Sequence, residues 1–223
     1  KHAINSDVYY NGWTRNGAIK STDEVYGIPL VVKHNGVDKN VGPLFWAQYS
    51  FIGLNPTNLV DSIGVDYGKV VKNHTKIPYL YNQNKKEIFP KYGKNMWGLT
   101  ASYSFNPDGT EGYTAHAPTN DRNVITPTAA LSSFPYSPKE SMDFLKFIYQ
   151  KQNDKLIGVA GPYDAVDVKN DKVIAKYLAI DQGTITPMIE NYRSGLLWKL
   201  FMQNEDVKRG LEKLKFSSKP SIN

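Results

Sequence analysis

The sequence predicts a mainly helical architecture, and three observations carry that expectation. Apolar residues recur at helical spacing in several segments. Two segments bear explicit helix-start signals. One stretch, 184–203, is apolar on nearly every side, so it needs neighbours all round. Hydrophobic residues make up 40% of the 223, enough for a sizeable core in one good-sized domain or two small ones and against wholesale disorder.

Residues 43–54 are compact and apolar and end before the Asn55-Pro56 breaker. A helix is predicted over 58–73, with Leu59, Ile63, Tyr67 and Val70 in register and Asp61 and Asp66 on a solvated face. A short helix rich in small residues is expected over 125–133. Ser137-Pro138-Lys139-Glu140 combines a capping serine, proline in the first turn and a glutamate three residues on. Met142, Leu145, Phe147, Ile148 and Tyr149 carry that helix to about Gln152. The longest helix is predicted over 184–203. Asn204 caps a final helix, 205–214, with an acidic first turn and a basic end. The long intervening loops, 76–119 and 154–172, leave room for short strands or hairpins. Loops of that length inside a compact domain are usually functional.

Composition narrows the function classes. With no cysteine there is no disulfide, thiol nucleophile or cysteine metal site. The net charge of +6 comes from scattered lysines without a recognition motif, so no nucleic-acid partner is expected. The longest apolar runs, such as 42–47 and 195–200, are far too short to cross a bilayer, so no membrane insertion is expected. His2, His34, His74 and His116 are widely separated, and no metal is predicted. No phosphate loop or nucleophile elbow is present, and no cofactor is expected. The 15 Tyr, 9 Phe and 4 Trp leave two readings open. One is a polar groove with apolar floors suited to sugar rings, the other a tyrosine-rich core with its hydroxyls paired at the edge.

Several blocks, in order, carry a resemblance. They are Gly42-Pro43-Leu44-Phe45-Trp46 on to Tyr49-Ser50-Phe51, then Trp97-Gly98-Leu99-Thr100-Ala101-Ser102 and Gly112-Tyr113. Ala115-His116-Ala117-Pro118 and Ile125-Thr126-Pro127-Thr128-Ala129-Ala130-Leu131-Ser132-Ser133 follow. The last are Leu178-Ala179-Ile180-Asp181-Gln182-Gly183 and Ile189-Glu190-Asn191-Tyr192-Arg193-Ser194-Gly195-Leu196-Leu197-Trp198. Together they resemble the glycoamylase-like family of bacterial proteins, labelled glucoamylases and including endo-β-1,2-glucanases. The resemblance implies an (α/α)6 barrel with a central groove and a glucan substrate, an oligo- or polysaccharide. It also implies a glycoside hydrolase that is periplasmic or secreted, with a lipid anchor through an upstream N-terminus as one form. An (α/α)6 barrel has twelve helices and this chain holds about half. Residues 1–223 are therefore expected to be a partial barrel domain, roughly its C-terminal half. In the family, a helix bearing an Asn-Glu pair precedes a Ser-Pro-Thr-His turn, whose tail Lys1-His2-Ala3-Ile4 resembles. The missing half, supplied in cis or by another chain, is expected to hold the general acid. Two further readings stay open: an α-glucan hydrolase of glucoamylase type, and a non-catalytic carbohydrate-binding or structural fragment.

Glycoside hydrolysis normally uses two carboxyl groups flanking the scissile bond. The first candidate is Asp181, in an apolar lead-in to a glycine turn at a helix start. The competing reading is a carboxylate that satisfies helix N–H groups. Glu190 and Asp121 are further catalytic candidates. Glu190 and Arg193, the only charged residues in 184–198, are also spaced to pair with each other. Trp97, Tyr113, His116, Tyr192, Arg193 and Asp164 are candidates for binding sugar, with core packing the alternative for Trp97 and loop capping for Asp164. In the related cyclic-glucan synthases a carboxylate stands at the position of Ala101, and its absence here favours inversion by water. Three expectations follow. An apolar face on 184–198 should be exposed or covered by a partner. Trp97, Tyr113, His116, Asp121, Asp181 and Tyr192 should line one concave surface. The anomeric centre should invert.

Overall fold

The computed structural model describes residues 4–33 and 35–218, so the turn beginning at Lys1, His2 and His34 lie outside the described residues. The fold is helical with small antiparallel sheets. Its helices are α1 (Phe45–Tyr49), α2 (Tyr67–Gln83), α3 (Pro127–Leu131), α4 (Pro138–Lys151), α5 (Asn153–Leu156), α6 (Ala179–Gln182), α7 (Ile185–Arg193), α8 (Leu196–Met202) and α9 (Glu205–Lys213).

The predicted 58–73 helix begins late. Asn58 has φ +58°, which a helix cannot accept, and Leu59–Val60 pairs with Ser217–Ser218 instead. The cap is Asp66, whose side chain accepts the Lys69 N–H, and α2 then runs through Pro78 to Gln83, well into the expected loop. Asp61 is buried rather than solvated. It accepts from the Tyr9 hydroxyl at 2.7 Å and the Ile63 and Val65 N–H groups at 3.1 and 2.8 Å, enough donors to hold a buried carboxylate.

The predicted 184–203 helix is two helices. Gly195 sits at φ +68°, a left-handed conformation that ends α7 and costs least at glycine. Its N–H still closes on the Asn191 carbonyl at 3.0 Å. The longest helix is accordingly α2, with 17 residues. α7 and α8 leave Tyr192, Leu196, Leu200 and Phe201 exposed, whereas the Trp198 indole N–H donates to the Phe51 carbonyl at 2.7 Å. The starts at Pro138 and Glu205 agree with the sequence, and Asn204 accepts from the Asp206 and Val207 N–H groups, whereas Ser137 takes the cap position without the expected side-chain bond.

One core cluster joins Trp97, Phe134, Phe144 and Ile148 to α3 and the sheet residues Ile125 and Val166. A second joins α1 and the start of α2 to Tyr136 and Met188. Trp97 is fully buried, its N–H on the Glu140 carbonyl at 3.2 Å and its ring edge-on to Tyr79. It cannot stack on a sugar, which corrects that assignment. Packing excludes it: Gly98, at φ +132°, brings the chain so close to α3 that an added Cβ would lie 2.9 Å from the Thr126 carbonyl.

His74 on α2 is also buried, with Nε2 on the Gly42 carbonyl at 2.9 Å and no partner for Nδ1. Burial pushes its pKa down to about 4 from 6.5. The unfolded chain therefore takes up this proton near pH 6.5 and the folded chain only near 4. The contribution is complete above pH 6.5 and is lost as pH falls to 4, amounting to roughly 3 kcal/mol. In urea unfolding, the stability of wild type relative to His74→Gln should be constant above pH 6.5 and should fall as pH drops from 6.5 to 4. A gap independent of pH would contradict this.

Candidate active site

The hairpin β1 (Ala101–Phe105) and β2 (Glu111–Ala115) lies within the predicted 76–119 loop, and its register sets Tyr103 opposite Tyr113. Their rings meet edge to face at 5.5 Å. Cross-strand partners share a face, and on this face Tyr113 is half exposed. The Tyr113 hydroxyl donates to Asp181 Oδ1 at 2.5 Å, and the Tyr103 N–H donates to Asp164 Oδ2 at 2.8 Å. One hairpin thus holds two carboxyl groups distant in sequence.

Asp164 precedes β4 (Ala165–Asp167), the middle strand of an antiparallel sheet between β3 (Val124–Ile125) and β5 (Lys172–Ile174). Its N–H donates to the Lys176 carbonyl at 3.0 Å. Asp181 lies in α6, and its backbone is pinned from several directions. The Thr128 hydroxyl donates to its carbonyl at 2.6 Å, Tyr49 donates to the Ile180 carbonyl, and the Gln182 amide donates to the Pro162 carbonyl. The Asp181 carboxyl accepts from the Tyr113 hydroxyl rather than from helix N–H groups, with the Asp164 carboxyl interacting beside it, so the cap reading is set aside.

Asp164 and Asp181 are both buried and lie within hydrogen-bonding reach of each other. Burial, reinforced by the charge of Asp181, raises the Asp164 pKa to about 7 against the opposing Tyr103 N–H and Lys176. Burial also raises that of Asp181, while the hydrogen bonds from Tyr113 and Asp164 hold it lower. Burial likewise raises the Tyr113 hydroxyl, with Asp181 beside it, so it remains a donor. Asp164 is therefore far more than a loop cap. Phe45 and Tyr49 of α1 are partly exposed, and Tyr49 senses the Asp181 charge.

The other candidates do not join this cluster. His116 follows β2, and its N–H extends the ladder to the Thr100 carbonyl at 3.2 Å. Strand parity turns its side chain to the face opposite Tyr113, where it is fully buried with neither ring nitrogen in a hydrogen bond of good geometry. Burial lowers its pKa to about 4. Asp121 is a buried ion-pair partner of Lys85 that also accepts from the Tyr81 hydroxyl at 2.9 Å and the Asn123 N–H at 2.7 Å. A carboxylate so committed is unavailable to activate water. Glu190 pairs with Arg193 at 3.2 Å and accepts from the Ser194 hydroxyl at 2.5 Å, the i, i+3 arrangement that the spacing allowed. Tyr192 is half exposed with its ring 5.5 Å from Phe134. The expected single concave surface thus divides. Tyr113 and Asp181 meet, with Asp164, while Trp97, His116 and Asp121 are buried elsewhere. Tyr103, Tyr49 and Thr128 were missed as site supports, although Tyr49 and Thr128 lie inside motif blocks.

Among the described residues no helix is long and apolar enough to cross a membrane. A curated exo-β-1,2-glucooligosaccharide sophorohydrolase from Parabacteroides distasonis is 33% identical over 96% of this chain and 31% of its own length. The solved endo-β-1,2-glucanase of Chitinophaga pinensis, in complex with sophorotriose and glucose, matches with TM-score 0.88 and 43% identity over 98% of this chain and 51% of that one. A structure described as a putative glucoamylase from Bacteroides fragilis matches with TM-score 0.88 and 46% identity over 98% of this chain and 50% of that one. The chain thus spans about half the length of these solved relatives and under a third of the curated one. The family described as "Putative glucoamylase" matches residues 1–205, and the chain belongs to this glycoamylase family.

Proposed function

We propose that the intact protein is a glycoside hydrolase that cleaves β-1,2-glucan, with Asp181 as the base that activates water. The observation that carries this reading is the Asp181 carboxyl, oriented by Tyr113 and Asp164 beside partly exposed aromatic rings. Sugar rings need such apolar faces next to a fixed acceptor. Relatives named for β-1,2-glucan or its oligosaccharides favour that linkage over starch.

An inverting pair leaves room for water, with its carboxyls about 6.5–9.5 Å apart. Asp164, whose carboxyl interacts directly with that of Asp181, is too close for that role. The general acid is then a carboxyl in the part of the relatives that this chain does not span. Residues 1–223 are read as the C-terminal half of an (α/α)6 barrel, and the exposed Tyr192, Leu196, Leu200 and Phe201 are the face that the other half covers. The glucan substrate proposed for the protein supports a periplasmic or secreted location, as the family resemblance implies.

Product analysis of the intact protein on β-1,2-glucan, other β-glucans and starch tests the reading. Sophoro-oligosaccharides or sophorose from β-1,2-glucan, with no release from starch, are expected. Maltose or glucose from starch alone would replace it with an α-glucan hydrolase. Binding of β-1,2-glucan without cleavage would replace it with a carbohydrate-binding protein.

A further inference from the structure

The Asp164 and Asp181 carboxyls interact with each other, and each keeps one buried oxygen without a conventional donor. Asp164 Oδ2 takes the Tyr103 N–H and Asp181 Oδ1 takes the Tyr113 hydroxyl. That leaves Asp164 Oδ1 and Asp181 Oδ2, both buried and otherwise unpartnered. Two ionised carboxylates at such a distance repel, and the arrangement is stable only with one proton between them. Lys176 opposes this repulsion only in part: its charge lowers the Asp164 pKa, but burial outweighs it, and the same ammonium is paired with Glu111 and sits over the Tyr103 ring. Tyr113 and Tyr49, raised by burial, are neutral.

We infer that Asp164 is a positioning residue that keeps this shared proton on Oδ1, donates it to Asp181 Oδ2, and so holds Asp181 ionised and aimed as an acceptor. The assignment of the proton follows from the environments. Asp164 is the deeper group, 2% exposed against 7%, while Asp181 has the Tyr113 donor to stabilise its charge. Burial and the neighbouring negative charge both favour the protonated form of Asp164. The Asp164 proton is not passed to substrate: Asp164 acts through Asp181, which takes the proton of the attacking water and returns it to solvent before the next cycle. The inference rests on the proposed hydrolase reading for its consequence in catalysis, but the shared proton itself does not.

The experiment compares wild type, Asp164→Asn and Asp164→Leu in the intact protein. The pair is followed by the carboxyl carbon NMR signals of labelled aspartate, and β-1,2-glucan turnover is followed against pH. Asparagine can keep the Tyr103 N–H on its oxygen and offer its amide N–H to Asp181, with no proton to lose. The wild type should show Asp164 titrating in the neutral range, with Asp181 responding in the same step, and turnover should fall on the alkaline side of it. Asp164→Asn should keep kcat within several-fold, lose the step and lose that alkaline limb. Asp164→Leu, with no donor, should lose roughly 10- to 100-fold in kcat with KM little changed and the fold intact by thermal unfolding. An Asp164 signal that titrates below pH 5, or an alkaline limb unmoved in Asp164→Asn, would overturn the inference. Wild type that shows the neutral step but cleaves no glucan would instead remove the hydrolase reading and leave the shared proton standing.

Discussion

Asp181→Asn in the intact protein is expected to reduce turnover of β-1,2-glucan by about 100- to 10,000-fold, the range typical of losing a general base, while oligosaccharide binding is largely retained. The substitution preserves shape. The Asn oxygen can still accept from Tyr113, which now donates to Asp181 Oδ1 at 2.5 Å, and the backbone anchors from Thr128 and Tyr49 do not involve the side chain. What disappears is the basic oxygen. A loss in kcat with little change in KM or in the unfolding midpoint is the expected pattern. Near-normal turnover would show that Asp181 is a structural group and move the search for the base elsewhere.

Trp97→Ala is expected to cost about 3–5 kcal/mol of stability, the range for truncating a large buried aromatic side chain. The indole is fully enclosed by the first core cluster, and its N–H is a donor to the Glu140 carbonyl, which would lose that partner. Relaxation around the cavity is restricted, because Gly98 holds the chain against α3. Urea unfolding measures the effect. The milder Trp97→Phe should leave KM for β-1,2-glucan unchanged. A raised KM with normal stability would restore a sugar-stacking role for this residue.

The contrast between these two residues shows what could be read from the sequence. Helix starts with local chemistry were legible: Pro138 follows its serine, and Asn204 caps α9 through its own side chain. The break at Gly195 was visible as a glycine, but the apolar run around it pointed to a continuous helix. Only the left-handed φ distinguishes the two. Asn58 likewise has a positive φ that no spacing of apolar residues reveals. In the site, Asp181 and Tyr113 stood out because each lies in a compact motif. Their meeting was not legible, because it depends on a strand register that sets Tyr103 opposite Tyr113. The same register turns His116 inward, which proximity in sequence to Tyr113 concealed. Asp164 read as a loop residue because a shared proton needs a tertiary neighbour, and its partner Asp181 arrives from another loop and helix.

The most direct measurement is proton NMR of the sugar ends first released when the intact protein acts on β-1,2-glucan, recorded faster than mutarotation. Water activated by Asp181 attacks the face opposite the leaving group, so α-configured reducing ends should appear first and the β anomer should grow in afterwards. Early β-configured ends, or no release from β-1,2-glucan under conditions where starch is cleaved, would contradict a single displacement by Asp181-activated water on this substrate.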